Sequence, residues 1–182
     1  MACNLSAGRN EVCKESIGGI QGVYFINYTT GSFTKDANGV VTALPVSSSV
    51  YYYQLKGNSN YTETVNSSRD NGTTFFSQQL VLNLKKLTNE MSTQLKLMAY
   101  GRPQVIVWTN NGDAFVAGIK LGMDVTAGTI QTGGALGDLY GYSITFTGME
   151  QLPAAFISGS TTSTAIPTSV LNGGTIVYGT NS

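Results

Sequence analysis

Only 11% of the 182 residues are charged, against about 25% in typical soluble domains, and ten basic residues balance ten acidic ones. Ten bases spread over this length make no nucleic-acid-binding stripe, and no apolar run is long enough to span a bilayer. The first ten residues lack the pattern of a signal peptide, so we expect one soluble domain that is made in a cytoplasm and contacts no membrane.

The first third of the chain predicts strands. Residues 23–28, 40–44 and 50–55 are rich in aromatic and β-branched side chains, which favour a pleated sheet. Turn residues at 36–39 and Pro45 separate these segments.

A turn-rich loop is predicted over residues 57–73. Residues 61–65 alternate and give weak evidence for a half-solvated strand, while Asp70-Asn71-Gly72 is a strong turn signal. Residues 74–84 then predict a strand with its apolar side chains mostly on one face.

One segment predicts a helix. Thr88 is suited to cap its amino end, Glu90 favours the first turn, and Gly101 and Pro103 favour its end. The helix has a single apolar stripe, which predicts that it lies on a sheet. The stripe consists of Leu87, Met91, Leu95 and Met98.

The next segments predict more strands. Residues 105–108 are wholly apolar, so Trp108 is expected in the core, and an Asn-Gly turn leads to a hairpin partner at 114–121. Residues 123–131 run into a glycine-rich link at 132–138, and two further extended segments follow at 140–147 and 151–157.

Composition changes beyond residue 158. Residues 159–169 are mostly Ser, Thr and Gly, as in a flexible linker, and residues 170–178 predict a small hairpin or an arm. We therefore divide the chain into a domain of residues 1–157 and an arm of residues 158–182. The expected fold is mainly β, a sandwich or barrel of antiparallel strands with one flanking α-helix.

Catalysis is not expected. The chain has no histidine, and its acidic residues are scattered singly. Gly133-Gly134 and Gly137 precede a strand rather than a helix, so they do not predict a phosphate site. We expect no enzymatic activity, no cofactor and no metal. Cys3 and Cys13 match neither a zinc pattern nor a disulfide framework and are expected as reduced thiols, with their pairing left open.

Self-association is the function class that the composition favours. Soluble β proteins usually protect sheet edges with Lys, Pro or bulges, and a sheet-rich chain with few charges lacks such protection. Two interpretations of residues 51–53, three consecutive tyrosines, stay open: ordinary half-buried sheet residues, or an intersubunit contact.

The order of elements from residue 15 to about residue 157 resembles the major tail protein, or tail-tube protein, of tailed bacteriophages. The resemblance rests on residues 22–24, 71–84, the helix through Leu97, 105–118, Gly141 to Phe146, Gly148-Met149-Glu150 and Pro153-Ala154.

This resemblance implies a β-sandwich with a flanking helix. Six copies would form a ring whose inner strands close a β-barrel, and stacked rings would form a tube for DNA passage in the virion tail. Assembly would take place in the host cytoplasm, with other tail or connector proteins as partners. The loop at 57–73 would contact the next ring, and the interface residues would be Tyr51, Tyr53, Asn58, Tyr61, Glu63, Arg69, Asp70 and Asn71.

Other functions stay open. A related virion protein could form a ring or connector at the head–tail junction or decorate the capsid, and contractile injection machines use a similar inner tube. A carbohydrate-binding or adhesive β-sandwich would instead use Trp108 or residues 51–53 as stacking platforms.

Overall fold

The computed structural model describes residues 7–11 and 13–179 of the chain. Within them the fold is mainly β, as the sequence predicts. Cys13 is exposed, and Cys3, with the question of their pairing, lies outside the described residues. The elements in chain order are β1 (Ile20–Ile26), β2 (Thr34–Lys35), β3 (Val41–Ala43), β4 (Ser49–Gln54), β5 (Asn60–Ser68), β6 (Thr73–Lys85), α1 (Asn89–Tyr100), β7 (Gln104–Thr109), β8 (Ala114–Ala117), β9 (Asp124–Gln131), β10 (Gly141–Glu150), β11 (Ala155–Phe156), α2 (Thr168–Leu171) and β12 (Thr175–Tyr178).

Two sheets form the sandwich. The first sheet has six strands in the order β11-β8-β7-β1-β4-β12, and the second sheet has four in the order β5-β6-β10-β9. A small ribbon of β2 and β3 lies beside them. The strand pairs are antiparallel except that β12 runs parallel to β4. This matches the predicted antiparallel sandwich, with one parallel strand at an edge.

The second sheet packs on one face of the first sheet. The strands β6 and β10 contribute fully buried side chains from one face, and β1 and β7 contribute theirs from the opposite sheet. Helix α1 covers the margin of this core with the predicted stripe, whose four residues are each half-buried. The buried members of this core are Ile20, Val23, Phe25, Leu55, Leu80, Leu82, Val105, Val107, Ala117, Met123, Tyr142, Ile144 and Phe146.

A second core covers the other face of the first sheet. Residues of β1 and β7, such as Tyr24 and Ile106, pack there against Phe33 and Leu44 from the 27–48 segment. The strands β1 and β7 are therefore buried on both faces, which explains why residues 105–108 are apolar without alternation.

Residues after 158 complete this second core. Ala165, Ile166 and Val170 are buried in it, and the Leu44 N–H donates to the Val170 carbonyl at 2.8 Å. The structure differs here from the flexible linker and small hairpin expected from composition: α2 packs on the sheet and β12 joins it. Three apolar side chains among many Ser and Thr are enough to anchor the segment, because they cover an apolar sheet face.

Residues 57–73 do not form a loop, and that prediction is wrong. Strand β5 pairs with β6 from Asn60 opposite Val81 to Ser68 opposite Thr73, and only residues 69–72 make the turn. The weak strand prediction at 61–65 is confirmed and extends at both ends. Because half of a surface strand faces water, the outward residues of β5 are polar, and the composition of this segment therefore resembles that of a loop.

Helix α1 is confirmed with its cap. The Thr88 side chain accepts a hydrogen bond from the Met91 N–H at 3.1 Å, and the Gly101 N–H donates to the Leu97 carbonyl at 2.9 Å. Two strands are shorter than predicted: β8 ends before Gly118, whose φ is 66°, and β11 spans two residues.

Val170 tests whether the carboxyl-terminal segment is part of the core. Val170→Ala should lower the free energy of unfolding by about 2 kcal/mol, because it removes buried methyl groups and leaves a cavity. The same change at the exposed Val177 is the matched control and should cost less than about 1 kcal/mol. Urea unfolding followed by circular dichroism measures both, and equal effects would contradict this packing.

Candidate intersubunit surface

The outer face of the second sheet is polar and nearly uncharged. Register places one row across all four strands at Thr62, Gln79, Thr147 and Asp124. The neighbouring rows mix hydroxyl and amide side chains with the apolar Val81, Ala127 and Met149. Lys85 lies at one end of this face and Asp124 on its edge strand. The remaining polar members of this face are Asn60, Thr64, Asn66, Ser68, Thr73, Ser77, Asn83, Ser143, Thr145, Thr129 and Gln131.

Both edges of the second sheet are open. Among the described residues, β5 pairs only with β6, and β9 pairs only with β10. The two edge strands have nearly equal lengths, nine and eight residues. Neither contains Lys or Pro, and each has one acidic residue, Glu63 in β5 and Asp124 in β9. Strand β9 carries one bulge, where its register with β10 shifts between Thr145 and Phe146, but both edges lack the Lys and Pro that discourage pairing with another chain.

Glu63 faces the interior and ties the two sheets together. Its Oε1 accepts hydrogen bonds from Gln78 Nε2 and from the Ala154 N–H, each at 3.1 Å. The Oε1 of the buried Gln78 accepts in turn from the Gly118 N–H at 2.8 Å. Because these bonds run from β5 through β6 to the end of β8 and the segment before β11, they fix the edge strand on the body of the sandwich.

Tyr61 also points inward. Its ring centroid lies 4.8 Å from that of Phe115 on the first sheet. Burial, followed by the carboxylate of Glu63, raises the pKa of Tyr61 well above its ordinary value. Tyr61 therefore contributes packing between the sheets in the single chain.

Tyr51 and Tyr53 lie on the face of β4 that meets the second sheet and α1. The Tyr53 ring packs edge-on against Phe25 with centroids 5.1 Å apart. Tyr52 points to the opposite face and lies against Tyr24 at 4.7 Å. Each of residues 51–53 is half-buried, so contacts within the chain account for all three. An intersubunit role for Tyr51 and Tyr53 stays a prediction.

The other four predicted interface residues are exposed and lie at two different ends of β5. Arg69, Asp70 and Asn71 form the β5–β6 turn, which the Gly72 N–H closes on the Arg69 carbonyl at 3.3 Å. Asn58 precedes β5, has a φ of 57°, and accepts a hydrogen bond from the Asn83 side-chain amide on its carbonyl. The eight predicted residues therefore do not form one surface.

Sequence reasoning missed the part that β9 plays. Residues 123–131 were given no strand prediction, and nothing local indicated that they form the edge of a sheet whose other edge is β5. The signal that could have found the outer face is the period-two alternation of polar residues in 60–68 and 141–150.

Residues associated with other functions are placed elsewhere. Trp108 is 6% exposed and donates its indole N–H to the Thr161 carbonyl at 2.9 Å, as expected for a core residue. In the part of the chain that the structure describes, no three Cys, Asp or Glu side chains gather as metal ligands. Neither helix of that same part has the length and apolar character needed to cross a membrane.

Comparisons of the chain with protein-family models, with curated proteins and with solved structures give no significant match. Its function has to be inferred from its own residues and geometry.

Glu63 tests the bridge between the sheets. Glu63→Ala should lower the free energy of unfolding by about 1–3 kcal/mol, because it leaves the Gln78 amide and the Ala154 N–H without their acceptor. Glu63→Gln, which retains an acceptor oxygen, is the matched control and should cost less. Urea unfolding of both variants measures the difference, and a larger loss in Glu63→Gln would contradict the assignment.

Tyr53 gives the fold an alkaline pH dependence. Burial, then Glu90 and Tyr51, raises its pKa from 10.0 to about 12. As the pH rises, the unfolded chain therefore loses the hydroxyl proton of Tyr53 at a lower pH than the folded chain does. The contribution of Tyr53 to the free energy of unfolding is fully present below about pH 10. It declines by at most about 1.4 kcal/mol per pH unit as the pH rises toward 12. Urea unfolding across this range should show a shallower loss for Tyr53→Phe than for the unmodified chain; equal slopes would argue against it.

Proposed function

We propose that the chain is a structural virion protein whose copies assemble into stacked rings, forming a tail tube through which DNA passes. The observation that carries the proposal is the second sheet, which has two open edges of nearly equal length without Lys or Pro and a mostly polar outer face with few charges. Such a sheet has backbone donors and acceptors on both margins that a neighbouring copy can pair.

Strand direction supports ring formation by edge pairing. Each neighbouring pair in the order β5-β6-β10-β9 is antiparallel, so β5 and β9 run in opposite directions. If β9 of one copy lies beside β5 of the next with the outer faces on the same side, the alternation continues across the junction. This is a head-to-tail contact, and it generates a ring when the rotation between copies closes.

The outer face suits a lumen that DNA moves through. Strong binding of a duplex needs several Lys or Arg contacts with phosphates, and the outward residues of the four strands include only Lys85. Hydroxyl and amide groups hydrate well and offer no fixed positive charge. With six copies, a strand spacing of about 4.8 Å gives a barrel circumference of about 115 Å, which leaves room for a duplex.

The proposed location is the virion tail, with assembly in the host cytoplasm, and the proposed partners are further copies of the chain and other tail or connector proteins. A terminal ring, a connector or a capsid-decorating protein could use the same edges, and the difference would lie in whether rings stack. The buried Trp108 is not available as a sugar-stacking platform, which weighs against a carbohydrate-binding function.

Proline substitutions on β9 test the edge. In an antiparallel edge strand, successive N–H groups point alternately to the partner and to the open side, so Thr129→Pro and Ile130→Pro differ in which side loses a donor. One should destabilise the β9–β10 pairing, and the other should leave a folded chain that forms no rings. Circular dichroism and negative-stain microscopy distinguish these results.

The matched controls are Thr129→Ala and Ile130→Ala, which keep both N–H groups and should assemble like the unmodified chain. Rings or tubes in both proline variants would contradict pairing through β9. An unmodified chain that stays monomeric at high concentration would contradict the proposed function as a whole, and rings that never stack would favour a terminal ring or connector.

A further inference from the structure

The link between β9 and β10 displays a leucine at its tip. The side chain of Leu136 is fully exposed. The tip has a defined shape because Asp138 Oδ2 accepts hydrogen bonds from the N–H groups of Gly134 and Ala135, at 2.9 and 2.7 Å. These bonds also lower the pKa of Asp138, so the tip carries a negative charge beside its leucine at neutral pH.

A cavity of about 630 Å³ lies at the opposite end of the sandwich. Two large apolar side chains at this cavity are half exposed, Leu121 at 50% and Leu152 at 53%. Contacts within the chain leave these surfaces in water, which favours their being covered by another apolar group. The apolar side chains that line the cavity include Phe33, Val116, Ile119, Leu121, Leu152 and Pro153.

The charge of the cavity complements that of the tip. Lys35 and Lys120 line it together with a single acid, Glu150. The Oε1 of Glu150 already accepts hydrogen bonds from the Lys120 and Leu121 N–H groups, both at 2.8 Å. The cavity therefore has an excess of positive charge where an approaching Asp138 carboxylate would be favoured.

Strand β10 separates the tip from the cavity within one chain. Its first residue, Gly141, follows the tip, and its last residue, Glu150, lines the cavity. At about 3.4 Å per residue the two ends are about 30 Å apart. One copy therefore cannot fill its own cavity, but a second copy placed end to end can. A contact between opposite ends of the molecule does not close on itself and continues as a stack.

We propose that the tip of one copy, with Leu136 at its centre, inserts into the cavity of a copy in the next ring. This docking rests on the proposed function and assigns its ring-to-ring contact. Leu136 acts as an apolar anchor in a pocket, and Asp138 both holds the tip in shape and meets the lysines. Ring closure then uses the edges of the second sheet, while stacking uses its two ends.

Engineered cysteines test the docking. In the full chain carrying Cys3→Ser and Cys13→Ser, Leu136→Cys is combined with Leu152→Cys. After mild oxidation, a non-reducing gel detects covalent multimers, and negative-stain microscopy detects rings and tubes. Docking brings the two thiols of different copies within disulfide reach, so a ladder of covalent multimers is expected. The matched control pairs Leu136→Cys with Leu97→Cys, a similarly exposed position on α1 that does not line the cavity, and should give no ladder.

A second variant, Leu136→Asp, should raise the protein concentration needed for stacking by roughly tenfold while leaving single rings intact. Tubes that form with no ladder beyond the control would overturn the docking and leave the proposed function standing. A ladder without rings or tubes would support the docking and overturn the tail-tube assembly. No ladder from the cysteine pair, together with an unmodified chain that forms neither rings nor tubes, would overturn both.

Discussion

Burial of the first sheet on both of its faces is the constraint on which the rest of the structure depends. Strands β1 and β7 present apolar side chains in both directions, so each face requires a cover. The second sheet and α1 cover one face, and the segments around 27–48 and 158–178 cover the other. The second sheet consequently has an inward face fixed by packing and an outward face free to be polar.

The polar bridge through Glu63 and Gln78 gives this arrangement a specific register. Apolar contact between two sheets is non-directional, whereas an acceptor shared by the Gln78 amide and the Ala154 N–H has a defined position. The bridge holds β5, an edge strand, on the sandwich even though most of its residues face water. A firmly held edge with unpaired backbone groups is a suitable template for a neighbouring chain.

The proposed assembly uses different surfaces for its two directions of growth. Edge pairing between β5 and β9 would be made of backbone hydrogen bonds, which are insensitive to side-chain identity and continue the sheet. Stacking through the Leu136 tip would depend on one apolar anchor and a few charges, which makes it the more specific contact. The low charge of the chain is compatible with both, because neither requires the removal of many charged groups from water.

The sequence by itself determined the strands with clear alternation or apolar runs, the hairpin at residues 110–112 and the capped helix, since each depends on neighbours within a few residues. Only the tertiary structure decided that Ile166 and Val170 belong to a core, that β5 is a strand rather than a loop, and that Tyr61 and Glu63 point inward. Those outcomes depend on partners far away in the chain, such as Phe115 for Tyr61 and β6 for β5. A local pattern shows how a segment can fold, but the apolar surface that it must cover is set by the rest of the molecule.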